Sequence, residues 1–264
     1  MNIFFREMRA NFKSLVIWSV IVILFNVIGF SKFSAYYQNP EMLAILDGFP
    51  PAVLSAFSIN SFNLTTVTGF YGIMIAYFGL ILSIASVMWG SDIISKEERG
   101  KTVEFSLTLP VTRSRFITAK TAAAAVNCIV LLLITWGMTL VGAQQYKPDA
   151  IFYKYVSISI PAYFLMQMIF LAVGVLFGCA VKKHKQAGSA AISILLATYF
   201  ASVMAGLDKN LDFLKYLSPF KYFDPILMLR DFRLEIPFVV LSLGIIAVCL
   251  SIAYASYQKR DLYI

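Results

Sequence analysis

The stretch GFYGIMIAYFGLILSIASVMWG, residues 69–90, carries no charge over its whole length and runs straight into SDIISKEERG, residues 91–100. A helix needs about 20 apolar residues to cross about 30 Å of hydrocarbon, where every backbone N–H and C=O must be satisfied within the segment. Residues 69–90 meet that condition, and the residues after them read as a polar helix end leaving the membrane. Five more charge-free apolar runs are found: Ser14–Ser31, Thr121–Ala143, Val156–Val181, Gln186–Leu207 and Ile236–Gln258. With Gly69–Gly90 they predict six spans. The first is the shortest and must borrow a turn from its flanks. Pro161 and the glycines inside the runs do not break the count, because membrane helices tolerate them.

Composition agrees. Of 264 residues, 59% are hydrophobic and only 14% charged, with a mean hydropathy of +0.77. Soluble domains average roughly 45–50% apolar and about 25% charged residues, so a soluble enzyme, a disordered chain and a disulfide scaffold are all excluded. The length is filled by six spans and modest loops, which makes residues 1–264 a single all-α, polytopic transmembrane domain. Cys128, Cys179 and Cys249 all fall inside apolar runs and are expected to be free thiols packed as small hydrophobes. The first apolar run follows a basic start, as a signal peptide would, but no small-x-small cleavage site follows it cleanly, and more spans come later. It reads as an uncleaved anchor.

The net charge of +8 would suit a nucleic-acid partner if it were clustered on a soluble surface, but here it flanks the spans. Fourteen of the 22 Lys and Arg residues lie on the side of the N-terminus, among them Arg6, Arg9, Lys13, Lys96, Arg99, Arg113, Lys120 and Lys182–Lys185. The opposite side holds the remaining eight, matched by eight acids. The positive-inside bias then puts both termini in the cytoplasm, with lipid as the surrounding partner and no nucleic acid implied.

Residues 1–13 form an amphipathic segment, with Phe4, Phe5, Met8 and Phe12 on one helical face and Arg6, Arg9 and Lys13 on another. Such a helix is expected to lie in the headgroup plane; a basic anchor for the first span is the plainer alternative. The outer segment Lys32–Thr68 is broken by Pro40, Pro50 and Pro51, and its run Ala52–Ile59 is expected to be a short helix. The last outer loop, Leu207–Glu235, is too charged to cross. Short helices are expected in it around Phe213–Leu217 and Pro225–Phe232, dipping partly into the outer leaflet.

The segment after the second span holds the sharpest candidate site. A charged helix continues that span and stops at Gly100, a residue suited to a helix C-terminus, and a second helical turn over Thr102–Leu107 ends before Pro110. A short rigid helix projecting from a membrane is something a soluble partner can grip, although charge runs commonly just face water. Gly100-Lys101-Thr102 mimics the tail of a phosphate-binding loop, yet that loop needs a further Gly where this chain has Ser95. Glu97 and Glu98 would also repel phosphate. Elsewhere the signals are plain. His184 has no companion ligands, and no nucleophile–base pair stands out. The spans hold no Asp, Glu, Lys or Arg, which ion-coupled carriers usually need at membrane depth. Asn26, Asn127 and Gln167 are expected to bond between helices, and Gly174 with Gly178 to allow close packing.

The pattern Glu97-Glu98-Arg99-Gly100-Lys101-Thr102-Val103-Glu104-Phe105, followed by Leu109-Pro110-Val111-Thr112-Arg113 and Lys120, resembles the E-E-x-G-T-x-E-x-L…P-V-x-R…K signature of permease subunits in bacterial exporter-class (type 2) ABC transporters. Lys101 is inserted where the family often moves directly from Gly to Thr, and Phe105 replaces a frequent Leu. Leu217-Ser218-Pro219-Phe220-Lys221-Tyr222-Phe223-Asp224-Pro225 is similar to the L-S-P-F-x-Y-F-D stretch before the last span of such permeases. The likeness implies a coupling helix seated on a separate ATPase subunit, with Glu97, Glu98, Arg99, Gly100, Thr102, Glu104 and Phe105 as contact residues. It implies a second contact at the loop with Lys183 and His184. It also implies a second, identical or homologous permease subunit, a bacterial cytoplasmic membrane, and ATP and Mg bound by the partner with no cofactor in this chain. An ion-coupled carrier and a non-transporting membrane scaffold or immunity-type protein are the alternatives.

The charge distribution gives a direct test. Single cysteines at Arg113 and Lys183 should be shielded from an impermeant thiol reagent in intact cells, whereas cysteines at Lys147 and Lys215 should react. Labelling of position 183 from outside would overturn the span assignment.

Overall fold

All six apolar runs become long helices, and most are longer than the run that announces them. The computed structural model describes residues 3–39, 41, 48, 62–99, 111–181, 184–207 and 209–259, with residues 98, 99, 184, 185 and 209 described by their backbone alone. The long helices are α1 (Ile3–Phe33), α2 (Val67–Arg99), α3 (Arg113–Gln144), α4 (Ala150–Ala180), α5 (His184–Leu207) and the last, α8 (Ile236–Gln258). Between α5 and α8 come a 3₁₀ helix, Lys209–Tyr216, and two short helices, α6 (Pro219–Tyr222) and α7 (Pro225–Asp231). The six long helices are apolar enough to cross a membrane, and no strand occurs among the described residues. The fold is an all-α polytopic membrane bundle. The expected short helix Ala52–Ile59 lies outside the described residues.

Local chemistry sets several helix starts. Thr112 caps α3 by accepting from the Arg115 N–H at 3.3 Å, and Asp149 caps α4 by accepting from the Phe152 N–H at 2.9 Å. Asp224 does the same for α7, whose first residue is Pro225. Each side-chain oxygen satisfies an N–H that has no partner within its helix. Pro161 sits inside α4 without ending it.

Helices α2 and α4 form the centre. In their apolar windows 61% of residues are buried, against 17% for α1 and 11% for α5 and α8. Lipid tails are as apolar as side chains, so helices in a bilayer associate through close packing of small residues. A Cβ on Gly90 would lie 2.4 Å from the Leu171 carbonyl oxygen, and one on Gly174 2.4 Å from that of Val87. At Gly178 it would lie 2.9 Å from the Ser91 carbonyl oxygen. The two backbones therefore touch. Gly174 and Gly178 serve as expected, and Gly90 opposite them is the partner that spacing alone did not single out.

Polar side chains add cross-links. Thr139 donates to Asn26 Oδ1 at 3.3 Å, Gln167 Nε2 donates to the Cys128 carbonyl at 3.2 Å, and the Tyr71 and Ser159 hydroxyls share a 2.7 Å bond. Asn127 is fully buried, but its amide makes no hydrogen bond among the described residues, unlike its expected role. The three cysteines are free thiols.

At the end away from the chain's start, the loop after α5 turns back into the bundle. The 3₁₀ helix leads to Ser218, whose hydroxyl donates to the Thr198 carbonyl at 2.7 Å. Thr198 lies about 13 Å down α5 from Leu207, at 1.5 Å per residue. Phe220 then packs on Phe170 and Tyr199, with ring centroids 5.2 and 5.4 Å apart, and Tyr222 stacks on Phe238 at 5.2 Å. Non-helical backbone at such depth is tolerated where protein encloses it, and Ser218 is fully buried. Lys221 pairs with Asp224 at 3.0 Å. Nearer the surface, hydrogen bonding from Arg230 holds the Asp231 carboxyl below its ordinary range.

The N-terminal segment differs from expectation. It is no separate in-plane helix but the first turns of α1, which runs unbroken from Ile3 to Phe33. No Gly or Pro separates residues 3–13 from the span, and Glu7 and Asn11 are buried against neighbouring helices.

The glycine contacts make a controlled prediction. Gly90→Ala or Gly174→Ala should destabilise the bundle by about 1–3 kcal/mol through overpacking. Gly137 and Gly244, where an added Cβ meets nothing within 4 Å, should accept Ala without loss. Thermal unfolding in detergent of the four variants would check the contrast.

Candidate functional site

Three helices project past their apolar runs at the end where the chain begins. Helix α1 starts well before Ser14, α2 continues past Gly90 to Arg99, and α3 starts at Arg113 ahead of Thr121. At 1.5 Å per residue the extensions are about 12–16 Å long. They form a three-helix stub whose inner face is charged.

The stub is organised round Lys120, whose side chain is fully buried. Its Nζ donates to Glu97 Oε1 at 2.7 Å and to the Ile93 carbonyl at 2.8 Å. The same ammonium lies 3.2 Å from Glu7 Oε2 and 4.9 Å from the centre of the Phe116 ring. Arg6 donates to the same Glu97 oxygen at 2.8 Å. Lys96 pairs with Glu7 and donates to Asn11 Oδ1 at 2.9 Å. Asn11 in turn donates to Glu7 at 3.3 Å. Arg6 and Glu7 come from α1, Lys96 and Glu97 from α2, and Lys120 from α3, so each helix supplies a charge to the others.

The start of α3 is also tied to the end of α8. Arg113 donates to the carbonyls of Tyr257 and Gln258 at 3.1 and 3.3 Å. The Thr118 and Tyr254 hydroxyls meet at 2.7 Å, and Gln258 Nε2 donates to Ser114 at 3.1 Å. A guanidinium on the last carbonyls of a helix meets groups that have no partner within that helix and a favourable dipole end.

The candidate contact residues fall unevenly on this frame. Glu97 faces inward, only 6% exposed, with its carboxylate bonded to Arg6 and Lys120 of the same chain. It is not a free carboxylate presented to a partner. Glu98 and Arg99 complete the last turn of α2, and His184 opens α5. Gly100, Thr102, Glu104, Phe105 and Lys183 lie outside the described residues. Among the described residues no group of three His, Cys, Asp or Glu side chains could hold a metal ion.

Sequence reasoning overlooked the roles of Arg6, Glu7 and Lys96, and named Lys120 only as part of a pattern. Signals were present. Lys120 shares one helical stripe with Phe116, Ala124, Asn127 and Leu131, all buried. Glu7 is the sole acid before Glu41 in a basic stretch.

The described residues thus form an all-helical bundle of six long apolar helices with a charged stub at one end. The model of the ABC-2 family transporter proteins matches residues 1–262, and the chain belongs to that family. No curated protein matches it.

Removing one member of a buried ion pair leaves an uncompensated charge and typically costs about 3–5 kcal/mol. Lys120→Met should therefore lower thermal stability in detergent sharply. Lys215→Met, which removes an exposed pair with Asp212, should barely change it.

Proposed function

We propose that this chain is the permease subunit of an ATP-driven transporter that exports a substrate across a bacterial cytoplasmic membrane, with both termini in the cytoplasm. Two such subunits, identical or homologous, enclose the pathway. Separate ATPase subunits, which bind the ATP and Mg, dock beneath them against Ser91–Leu107 and the loop with Lys183 and His184. Closure of the ATPase pair pushes on these contacts, and the long helices carry the motion into the membrane. This subunit performs no covalent chemistry.

The observation that carries the reading is the family match over residues 1–262. The projecting end of α2 supports it, because a helix continuous with a span transmits displacement along its length. An ion-coupled carrier would need ionisable groups at membrane depth. Glu97 instead lies about 10 Å beyond Gly90, and Lys120 immediately precedes Thr121.

With Glu97 committed internally, Glu98 and Glu104 are the acids assigned to a basic or amide-lined groove of the ATPase. Losing one charge-assisted hydrogen bond costs about 1.5–3 kcal/mol, which weakens docking about tenfold or more. Glu98→Lys, Glu104→Lys and Gly100→Pro should insert and fold normally, yet recover less ATPase on co-purification and lose transport. Normal assembly and transport by all three variants would overturn the assignment. So would a wild-type chain that co-purifies with no chain bearing an intact phosphate-binding loop.

A further inference from the structure

Residues 100–112 are strung between two roots, the end of α2 and the start of α3, and both roots carry buried charges directed at α1. Lys120 stands in the first turns of α3 and bonds Glu97 in the last turns of α2. Its second carboxylate, Glu7, belongs to α1, as does the Arg6 that shares Glu97. An apolar seam would hold three helices together with no charges to desolvate, and buried ionic clusters are often replaceable by one without loss of stability. What an ionic cluster adds is register, since each charge accepts few positions of its partners. Here the Glu7 carboxylate meets cations of α2 and α3, and Glu97 Oε1 meets cations of α1 and α3, so no helix end can slide without leaving a buried charge behind.

We propose that Glu7 and Lys120 are positioning residues that lock the first turns of α1, the last turns of α2 and the first turns of α3 into one rigid lever for segment 100–112. Motion imposed on that segment then reaches α1 as well as α2 and α3. The lever's role in transport rests on the ATPase-driven reading above, but the lock itself does not.

Two arms test it in a background lacking Cys128, Cys179 and Cys249. In the first, spin labels at the exposed positions Arg9 and Arg115 report the distance between α1 and α3 in the purified chain. Wild type should give one narrow distribution, and Glu7→Gln and Lys120→Met should each broaden it. Should Lys120→Met not fold, Glu7→Gln, which keeps the shape of the side chain, still decides. An unchanged narrow distribution in a folded Glu7→Gln variant overturns the lock, whether or not an ATPase is present.

In the second arm the complex with its ATPase is assayed. Glu7→Gln should bind the ATPase as wild type does, while transport falls about tenfold, a loss equivalent to about 1.4 kcal/mol. Asn11→Cys with Lys96→Cys should show a similar loss, and bridging the two thiols with a short bifunctional reagent should restore transport. A bridge that stops transport would mean that α1 parts from α2 during the cycle, and would overturn the rigid lever. Wild type without an ATPase partner would refute the functional reading and leave the first arm to judge the lock.

Discussion

Where α2 crosses α4, Gly90 and Gly174 bring two backbones into contact, and the rest of the bundle is arranged around that point. In lipid no hydrophobic transfer draws helices together, so the pair with the closest approach becomes the core by default. The majority burial of α2 and α4 follows from it. Helix α5 adds a stripe of Ala187, Ala191 and Leu195, all fully buried, while α1 and α8 flank the centre and leave broad apolar faces outward. Those faces include Ile17, Leu24, Val27, Val240 and Val248. Lipid or a second subunit suits such faces equally well.

One helix of that central pair, α2, ends in the charged stub. Helix α2 is one of the two most enclosed spans and the one that runs on to Arg99. Its last turns cannot be apolar, since they leave the membrane, and cannot be freely solvated on their inner side, since α1 and α3 pack there. Glu97 meets both conditions by pairing with Lys120 and Arg6. Arg113 extends the tie to α8 by holding its terminal carbonyls. The end of the bundle that faces a soluble partner in the proposed transporter is thus joined side to side by charge, whereas its middle is joined by close packing.

The six spans were legible because charge-free runs of this length have one stable outcome in a membrane. The folded segment after α5 was legible in part, with helices expected around Phe213–Leu217 and Pro225–Phe232, whereas the short helix Pro219–Tyr222 was not read. The end of α2 was legible as well, from the charged helix read up to Gly100, but hydropathy marks only where lipid stops, and the continuations of α1 and α3 beyond it were not read. The first turns of α1 looked amphipathic in isolation, and that pattern cannot tell a membrane surface from two neighbouring helices. Glu97 looked solvent-facing inside a charge run, although its spacing from Ile93 and Ile94 puts it on the buried stripe of α2. Segment 100–110 rests on its likeness to a family motif alone.

The interlocking charges also set a schedule for synthesis. Glu7 leaves the ribosome long before its partners, Lys96 and Lys120. At roughly 5–20 residues per second, the acid waits on the order of ten seconds for Lys120. Until then the first turns of α1 carry cations and a lone carboxylate with water or headgroups as their only company. The first span must therefore insert and orient on its own basic flank, and the stub closes only once α3 has emerged. Orientation comes first in time, and the join between the helix ends comes after it.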